Sequence, residues 1–230
     1  MSSLLEWQLL GQNEDHLQTL PDHQGVRMHQ GVIAPLMTLI QHARQAGFQL
    51  RVTSGFRSFE RQLGIWNDKC RGLRAVLDSR GDELDIHSLS SLEKVMAILR
   101  WSALPGASRH HWGTDCDIYD AAAVSKDYQP QLHPNEYTGS GPFAPMIEWL
   151  SKYLQQPDSL AFFRPYLHDH DGVAPELWHL SYSPVSSEYE QHLSLSLIRE
   201  QLNNLQIIEE KSTLLENLGI IYARFIRMPS

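Results

Sequence analysis

The chain has 230 residues, of which 42% are hydrophobic, so it is long enough to bury one substantial core. Its formal net charge is −8, its pI is near 5.8, and lysines and arginines do not cluster, which argues against nucleic acid or an anionic membrane as a partner. No run reaches the ~18 apolar residues that a membrane-spanning helix requires.

The first twenty residues do not resemble a secretory signal. They lack a basic start and a long apolar run, and a charge follows at Glu6. As sequenced, the chain is predicted to be cytoplasmic; action in the periplasm or at the cell wall requires another export route or a leader removed earlier. Cys70 and Cys116 could pair once, but two cysteines make no disulfide framework, and we predict two free thiols in a reducing compartment.

The first clear helical pattern lies within the N-terminal third of the chain. Apolar residues recur at helical spacing from Ile33 to Ala43, and Gly47 is a typical stop. Residues 48 to 54 then alternate apolar and polar, which predicts a strand that ends at Ser54. The order predicted here is therefore helix, strand and turn.

Further helices and strands follow in short segments. Ser58 is a candidate N-cap for a helix to about Arg71, and residues 90 to 104 carry a helical pattern that starts at a serine cap. Another helix is predicted after Pro142. The segments CDIYD and LWHLSYSP are rich in strand-forming residues, and the second is predicted to stop at Pro184.

Helices and short strands mix without a strict βαβ rhythm, which predicts an α+β domain with a small antiparallel sheet. From about Ser187 the composition becomes rich in leucine, isoleucine and glutamate, which predicts two helices and a tail. We therefore expect one domain over residues 1–186 and a helical C-terminal extension over residues 187–230 that packs on the core. An oligomerisation element is the alternative for this extension, and the sequence does not specify an oligomeric state.

Residues 108–120, SRHHWGTDCDIYD, contain two histidines, three aspartates and a cysteine. A catalytic zinc needs three protein ligands and one open position. His110 and Asp117 are seven residues apart, and Gly113 between them allows the chain to turn back. If Asp117 faces a metal, its strand neighbour Cys116 faces away and is predicted to be buried. Three other side chains are close enough in sequence to be rival ligands: His111, Asp115 and Asp120.

The third ligand is best sought in ELWHLSY, where Glu176 and His179 flank Trp178. A glutamate beside a metal-activated water can act as its base, and a nearby histidine can be a ligand. In an extended segment, positions three apart point to opposite faces unless the chain bends between them. Spacing alone therefore does not establish this pair.

The segment SGFRSFERQ, residues 54–62, lies where the predicted strand passes into a helix. The planar fork of Arg57 can pair with a substrate carboxylate or an oxyanion, and Gln62 can add an amide. An arginine at a turn is usually solvated, so this segment alone does not define a site.

The three segments together resemble a known family. SRHHWGTDCD resembles the S-x-H-x-x-G-x-A-x-D motif of the zinc D-Ala-D-Ala metallopeptidases, a group with VanX-like dipeptidases, VanY-like carboxypeptidases and, more distantly, lysostaphin and the hedgehog signalling domain. ELWH resembles the E-x-W-H motif of this family, and SGFRSFERQ resembles its [YF]-R-S-x-x-x-Q segment. All three occur in the family's order over roughly residues 30 to 185.

The resemblance implies the α+β fold of the hedgehog and D,D-peptidase group, with one Zn²⁺ per chain held by His110, Asp117 and His179. It implies that Glu176 is the catalytic base and that Arg57 stabilises the tetrahedral intermediate or anchors the substrate. It further implies that the substrate pocket includes Arg57, Gln62, Ser108 and Trp178. The implied reaction is hydrolysis of the C-terminal bond of a small, D-Ala-terminated peptide of the peptidoglycan type, and carboxypeptidase and dipeptidase activity both remain open.

Two positions depart from the family pattern. Asp115 stands where the family usually has alanine, and Leu177 where it often has proline. On a strand Asp115 shares a face with Asp117, so it is a candidate hydrogen-bond partner of the metal ligands or a specificity element. Two other hypotheses remain: a zinc-binding peptide or peptidoglycan module without catalysis, and a structural protein whose histidines and aspartates form a solvated loop.

Overall fold

The computed structural model describes residues 4–23, 25–78, 81–157 and 159–227. Two short strands, β1 (Leu17–Thr19) and β2 (Arg27–His29), form an antiparallel ribbon. The main sheet contains β3 (Leu50–Ser54), β4 (Asp115–Asp120), β5 (Phe162–Phe163) and β6 (His179–Tyr182). Its strands are all antiparallel, in the order β3-β4-β6-β5. The predicted α+β class with a small antiparallel sheet is confirmed.

Helices surround this sheet. The α-helices are α1 (Leu4–Leu9), α2 (Gln30–Gln45), α3 (Phe59–Cys70), α4 (Ser91–Trp101), α5 (Pro134–Tyr137), α6 (Ala144–Tyr153), α7 (Ser183–His192), α8 (Leu195–Asn204), α9 (Lys211–Glu216) and α10 (Leu218–Ile221). Short 3₁₀ turns span Ile86–Ser88, Arg109–Trp112 and Ala121–Ala123, and a π-helical turn spans Tyr222–Ile226. Within the described ranges, no helix is long and apolar enough to cross a membrane.

Helix ends follow their capping residues. Ser58 Oγ accepts a hydrogen bond from the backbone of Arg61 at the start of α3, as predicted. Ser90 and Glu93 form a reciprocal capping box at the start of α4. That helix ends at Trp101, three residues before the predicted end at 104, and α2 begins at Gln30, three residues before the first apolar position of its pattern.

One hydrophobic cluster lies between α2, α6 and one face of the main sheet. From α2 it takes Val32, Leu36 and Leu39, whose spacing places them on one face of the helix. From β4 it takes Cys116 and Ile118, which alternate with the aspartates that point to the opposite face. Cys116 is buried and free, as predicted, and the cluster holds the sheet whose other face carries the polar groups.

A second hydrophobic cluster joins α3 and α4 to the C-terminal helices. Trp66 of α3 and Leu99 of α4 pack with Ile198, Leu214 and Ile221. Two helices and a tail were expected after residue 187, whereas the chain forms α8, α9, α10 and the π-helical turn, and α7 already begins at Ser183. The predicted boundary at 186/187 therefore falls inside α7. The change in amino-acid composition on which it was based begins at about Ser187, whereas the helix already begins at Ser183.

The last predicted strand is shorter than expected. A strand was predicted over residues 177–184, but Leu177 and Trp178 form a turn and Pro184 lies in the first turn of α7. Proline fits the first turn of a helix because its missing N–H has no partner there in any case.

Candidate active site

Three side chains predicted as metal ligands meet at the polar face of the main sheet. His110 comes from the 3₁₀ turn before β4, Asp117 from β4, and His179 from the first position of β6, directly opposite Asp117 in the strand register. One ligand atom from each of the three lies within 4.8 Å of the others, and all three side chains are buried. In the described part of the chain this is the one such group.

Gly113 allows His110 and Asp117 to approach each other. It adopts a left-handed conformation with φ of 68°, and a Cβ there would lie 2.8 Å from the backbone nitrogen of His29. Only glycine fits both the backbone angle and this close contact. The turn therefore returns the chain into β4 at the place where Asp117 faces His110.

Each histidine has one nitrogen directed at Asp117 and the other at a separate acceptor. His110 Nδ1 lies 2.8 Å from the carbonyl oxygen of Gly55, and its Nε2 lies 3.3 Å from Asp117 Oδ2. His179 Nδ1 lies 3.3 Å from Asp117 Oδ1, and its Nε2 lies 3.7 Å from Asp115 Oδ1. Metal-binding histidines typically present this arrangement, with the second nitrogen oriented by a carbonyl or carboxylate.

The donor set fits a zinc ion. Asp117 Oδ1 and Nδ1 of His179 are buried and make no well-formed hydrogen bond within the described residues. Buried polar atoms without partners are rare and costly in folded proteins. Two imidazoles and one carboxylate match the three protein ligands of catalytic zinc sites.

The same groups strongly perturb each other's protonation. Burial by itself would raise the pKa of Asp117, but His110 and His179 hold that pKa far below its ordinary range. Burial opposes protonation of His179, yet Asp115, Asp117 and Glu176 together raise the pKa of its ring well above the ordinary value. Both shifts show that this pocket attracts positive charge.

Glu176 reaches the site because the chain bends after it. The turn at Leu177 and Trp178 brings the backbone N–H of His179 to 3.2 Å from the carbonyl oxygen of Glu176. Consequently Glu176 Oε2 lies 3.3 Å from His179 Nδ1, on the side that faces Asp117. This turn supplies the bend that the spacing of Glu176 and His179 required.

Asp115 lies behind the histidines and is neutralised by a buried arginine. Arg109 Nε donates to Asp115 Oδ1 over 2.9 Å, and its other nitrogens donate to Ser181 Oγ at 2.9 Å and to Glu190 at 3.1 Å. Although burial favours the neutral acid, Arg109 and His179 hold the pKa of Asp115 below its ordinary value. The structure thus places an ionised carboxylate against the outer nitrogen of His179.

The other two rival ligands face elsewhere. His111 Nδ1 donates to the carbonyl oxygen of Arg57 at 2.6 Å, and its Nε2 accepts from the backbone of Gly106 at 3.0 Å. Asp120 accepts hydrogen bonds from the backbone nitrogens of Gln49 and Ala122. Both side chains are occupied in holding loops together.

Arg57 and Gln62 are joined by a hydrogen bond. Arg57 donates to Gln62 Oε1 over 2.9 Å and to Ser54 Oγ over 3.3 Å, while the Gln62 amide donates to the carbonyl oxygen of Ala103 over 2.6 Å. Gln62 is fully buried and does not line the cavity at the site. The structure therefore places Gln62 behind Arg57, as a support for the guanidinium.

A cavity of about 400 Å³ opens onto these groups, within the range of ligand pockets. Ser108 and Trp178 contribute to its wall, together with Arg57, His110, Asp117, Glu176 and His179. Sequence reasoning missed Tyr166, whose ring contacts His179 edge-on with centroids 5.0 Å apart, and Lys69. Neither lies in a recognisable motif; Lys69, seven residues after Gln62, carried only the helical spacing as a signal.

Comparison with known proteins places this geometry in context. The family model described as D-alanyl-D-alanine carboxypeptidase, VanY, matches residues 25–185. An uncharacterised protein of Haemophilus influenzae is 41% identical over 98 residues, which are 42% of this chain and 67% of the relative. A second uncharacterised protein of Haemophilus influenzae is 30% identical over 125 residues, covering 54% of this chain and 92% of the relative.

Two solved structures are similar along most of the chain. VanYB in complex with D-alanine-D-alanine is 24% identical, with a TM-score of 0.51 and coverage of 83% of this chain and 89% of that chain. A mutant of the vancomycin resistance D,D-pentapeptidase VanY from a VanB-type cassette, in complex with Zn(II), is 25% identical with a TM-score of 0.50. That match covers 78% of this chain and 86% of the other.

Proposed function

Because the chain belongs to the VanY family of D-alanyl-D-alanine carboxypeptidases, and is thus a carboxypeptidase or dipeptidase, we propose that it is zinc-dependent and hydrolyses the C-terminal bond of D-Ala-terminated, peptidoglycan-type peptides. The proposed ligands of one Zn²⁺ per chain are His110, Asp117 and His179. The observation that carries this proposal is the approach of their ligand atoms to within 4.8 Å in a buried pocket beside Glu176. The zinc complex of a VanY relative supports the choice of metal.

The proposed chemistry divides between the metal and the side chains. Zinc, when bound, would polarise the scissile carbonyl and lower the pKa of a water molecule. Glu176 would take a proton from the attacking water and pass it to the leaving amine. Arg57, held by Gln62 and Ser54, would face the oxyanion that develops on the carbonyl oxygen.

The proposed substrate is a small peptide. The cavity of about 400 Å³ accommodates a few residues, and Ser108 and Trp178 are proposed to contact the peptide along its wall. The VanYB complex with D-alanine-D-alanine supports a substrate that ends in D-Ala. The test is D-Ala release from an acyl-D-Ala-D-Ala peptide, which a chelator should abolish and added zinc should restore; release that is insensitive to the chelator would contradict the proposal.

We propose that residues 187–230 pack on the 1–186 domain and complete the pocket. Phe225 and Ile226, both outside the matched residues 25–185, line the same cavity as His110 and His179. The π-helical turn that carries them follows α10, whose Leu218 and Ile221 are fully buried. The extension would thereby limit the length of the peptide that fits.

Replacing Arg57 with alanine should lower kcat by about 10²- to 10³-fold, because the transition state would lose a preorganised donor to its oxyanion. Zinc content should not change. The measurement is steady-state D-Ala release by the purified variant, with thermal unfolding as a check on folding. Arg61, an exposed arginine four residues later, provides the matched control, and Arg61→Ala should retain full activity. Equal activity of the two variants would contradict the proposed role of Arg57.

Replacing Asp115 with asparagine should weaken zinc binding by about 10- to 100-fold, because the outer nitrogen of His179 would lose its carboxylate partner. Activity should recover when zinc is supplied in excess. The measurement is zinc affinity by competition with a chelating dye, together with a melting curve of the zinc-loaded variant. A folded variant with the zinc affinity of the wild type would show that Asp115 does not position His179.

A further inference from the structure

Lys69, near the end of α3, lines the active-site cavity. It lies seven residues after Gln62, which places the two side chains on the same face of the helix, two turns apart. Gln62 supports Arg57, and Lys69 lines the same cavity as Arg57 and Glu176. Helix α3 therefore holds Arg57 in place through Gln62 and contributes a second cation, Lys69, to the cavity itself.

No described protein group pairs with this ammonium. Lys69 is half-buried, and among the described residues no carboxylate lies within ion-pair distance of its Nζ and no acceptor is hydrogen-bonded to it. The other half-buried lysines have partners: Lys94 pairs with Glu210 at 3.0 Å, and Lys211 donates to two backbone carbonyls. A half-buried cation without a partner is costly unless a ligand supplies the counter-charge.

The charges around the cavity favour an anion at Lys69. Burial lowers the pKa of Lys69 to about 8; Glu176 opposes this shift, and Arg57 and Arg74 add to it. Arg109 is compensated by Asp115 and Glu190, so it does not contribute a free charge. With zinc on Asp117 and the two histidines, the cavity keeps a net positive charge even after Glu176 is counted.

We propose that Lys69 binds a carboxylate group of the peptide substrate. This inference rests on the proposed function, since it assigns a subsite to the same cavity. Two carboxylates have the required chemistry: the C-terminal carboxylate of the peptide, and a side-chain carboxylate upstream of the scissile bond. In both cases Lys69 leaves Arg57 free to face the carbonyl oxygen.

The experiment compares how enzyme variants discriminate between charged and neutral peptides. Wild type, Lys69→Gln and Lys69→Arg are assayed on an acyl-D-Ala-D-Ala peptide and its C-terminal amide, and on a second pair with glutamate or glutamine upstream of the D-Ala residues. Lys126→Gln, at an exposed lysine outside the cavity, is the matched control. The readout is kcat/KM for each peptide, with KM and kcat resolved separately.

Lys69→Gln should reduce the preference for one charged peptide over its neutral partner by about 10- to 100-fold, the range of a hydrogen bond to a charged group. The loss should appear in KM, whereas Lys69→Arg should keep most of the preference. Loss confined to the first pair assigns the C-terminal carboxylate, and loss confined to the second assigns the side chain. Unchanged preference for both pairs would overturn the inference while D-Ala release by the wild type leaves the proposed function intact.

A binding measurement separates the two proposals. The dissociation constants of the same peptides are measured on the zinc-loaded Glu176→Gln variant, with and without Lys69→Gln. If the wild type releases no D-Ala, the proposed function fails, but the binding ratio still decides the role of Lys69. An equal ratio of acid to amide affinity with and without Lys69→Gln would again overturn the inference.

Discussion

Replacing Glu176 with glutamine should abolish most peptide hydrolysis and leave zinc bound. Glutamine has nearly the shape of glutamate but cannot accept the proton of the attacking water, and a general base typically contributes about 10²- to 10⁴-fold to the rate. Glu176 is not counted among the three proposed ligands, so zinc stoichiometry should stay that of the wild type. The measurement is single-turnover D-Ala release alongside elemental analysis of the same sample.

The control for Glu176→Gln is Glu148→Gln, because Glu148 is an exposed glutamate of α6 that pairs with Lys152 at the surface. It should retain both zinc and activity. If Glu176→Gln hydrolyses the peptide at the wild-type rate, another group supplies the base and the proposed assignment is wrong. If it loses zinc, Glu176 is a ligand.

Replacing Asp117 with asparagine should remove both zinc and activity. Asp117 faces His110 and His179 at 3.3 Å on either side, so it carries the only negative charge in the proposed ligand set. The amide of asparagine keeps the shape of the carboxylate but not its negative charge. The two neutral imidazoles cannot supply that charge to the zinc ion. Zinc bound after dialysis, measured by elemental analysis, should fall to near zero, and D-Ala release should fall with it.

Asp120→Asn is the matched control, because Asp120 lies three residues later on the same strand and its carboxylate accepts only backbone hydrogen bonds in the described structure. Its asparagine variant should keep zinc and activity. A folded Asp117→Asn protein that still binds one zinc tightly would show that the metal, if any, lies elsewhere.

Much of the fold is readable from local signals. Ser58 and the serine before α4 mark helix starts because their hydroxyls satisfy free backbone N–H groups. The alternation in β4 separates Cys116 from Asp117 because strand side chains alternate between faces. Such signals act within a few residues, so a single sequence reveals them.

The remainder depends on contacts between distant segments. Local spacing could not decide whether His110 or His111 is the metal ligand. The structure argues against His111 because both of its ring nitrogens make hydrogen bonds, with Arg57 and Gly106. The turn that brings Glu176 beside His179 forms where β6 pairs with β4. It could not be predicted from the sequence, because the residues of that segment are typical of a strand. Lys69 can be identified as a candidate site residue only from the three-dimensional structure, which shows that it lines the cavity.

The resemblance to the metallopeptidases narrowed the choice of metal ligands to His110, Asp117 and His179. The departure at Asp115 acquires a physical explanation in the structure, where Arg109 neutralises a carboxylate that would otherwise be buried alone. This pair ties the 3₁₀ turn that carries His110 to the strand that carries Asp117.

The most direct test of the proposed metal site is zinc content by elemental analysis on wild type and His179→Ala, with D-Ala release from an acyl-D-Ala-D-Ala peptide assayed on the same samples. We expect close to one zinc per chain with D-Ala release in the wild type, and loss of both in His179→Ala. Zinc without release of D-Ala would favour a binding module. Absence of zinc from the wild type, even after reconstitution, would contradict the proposed metal site and the chemistry built on it.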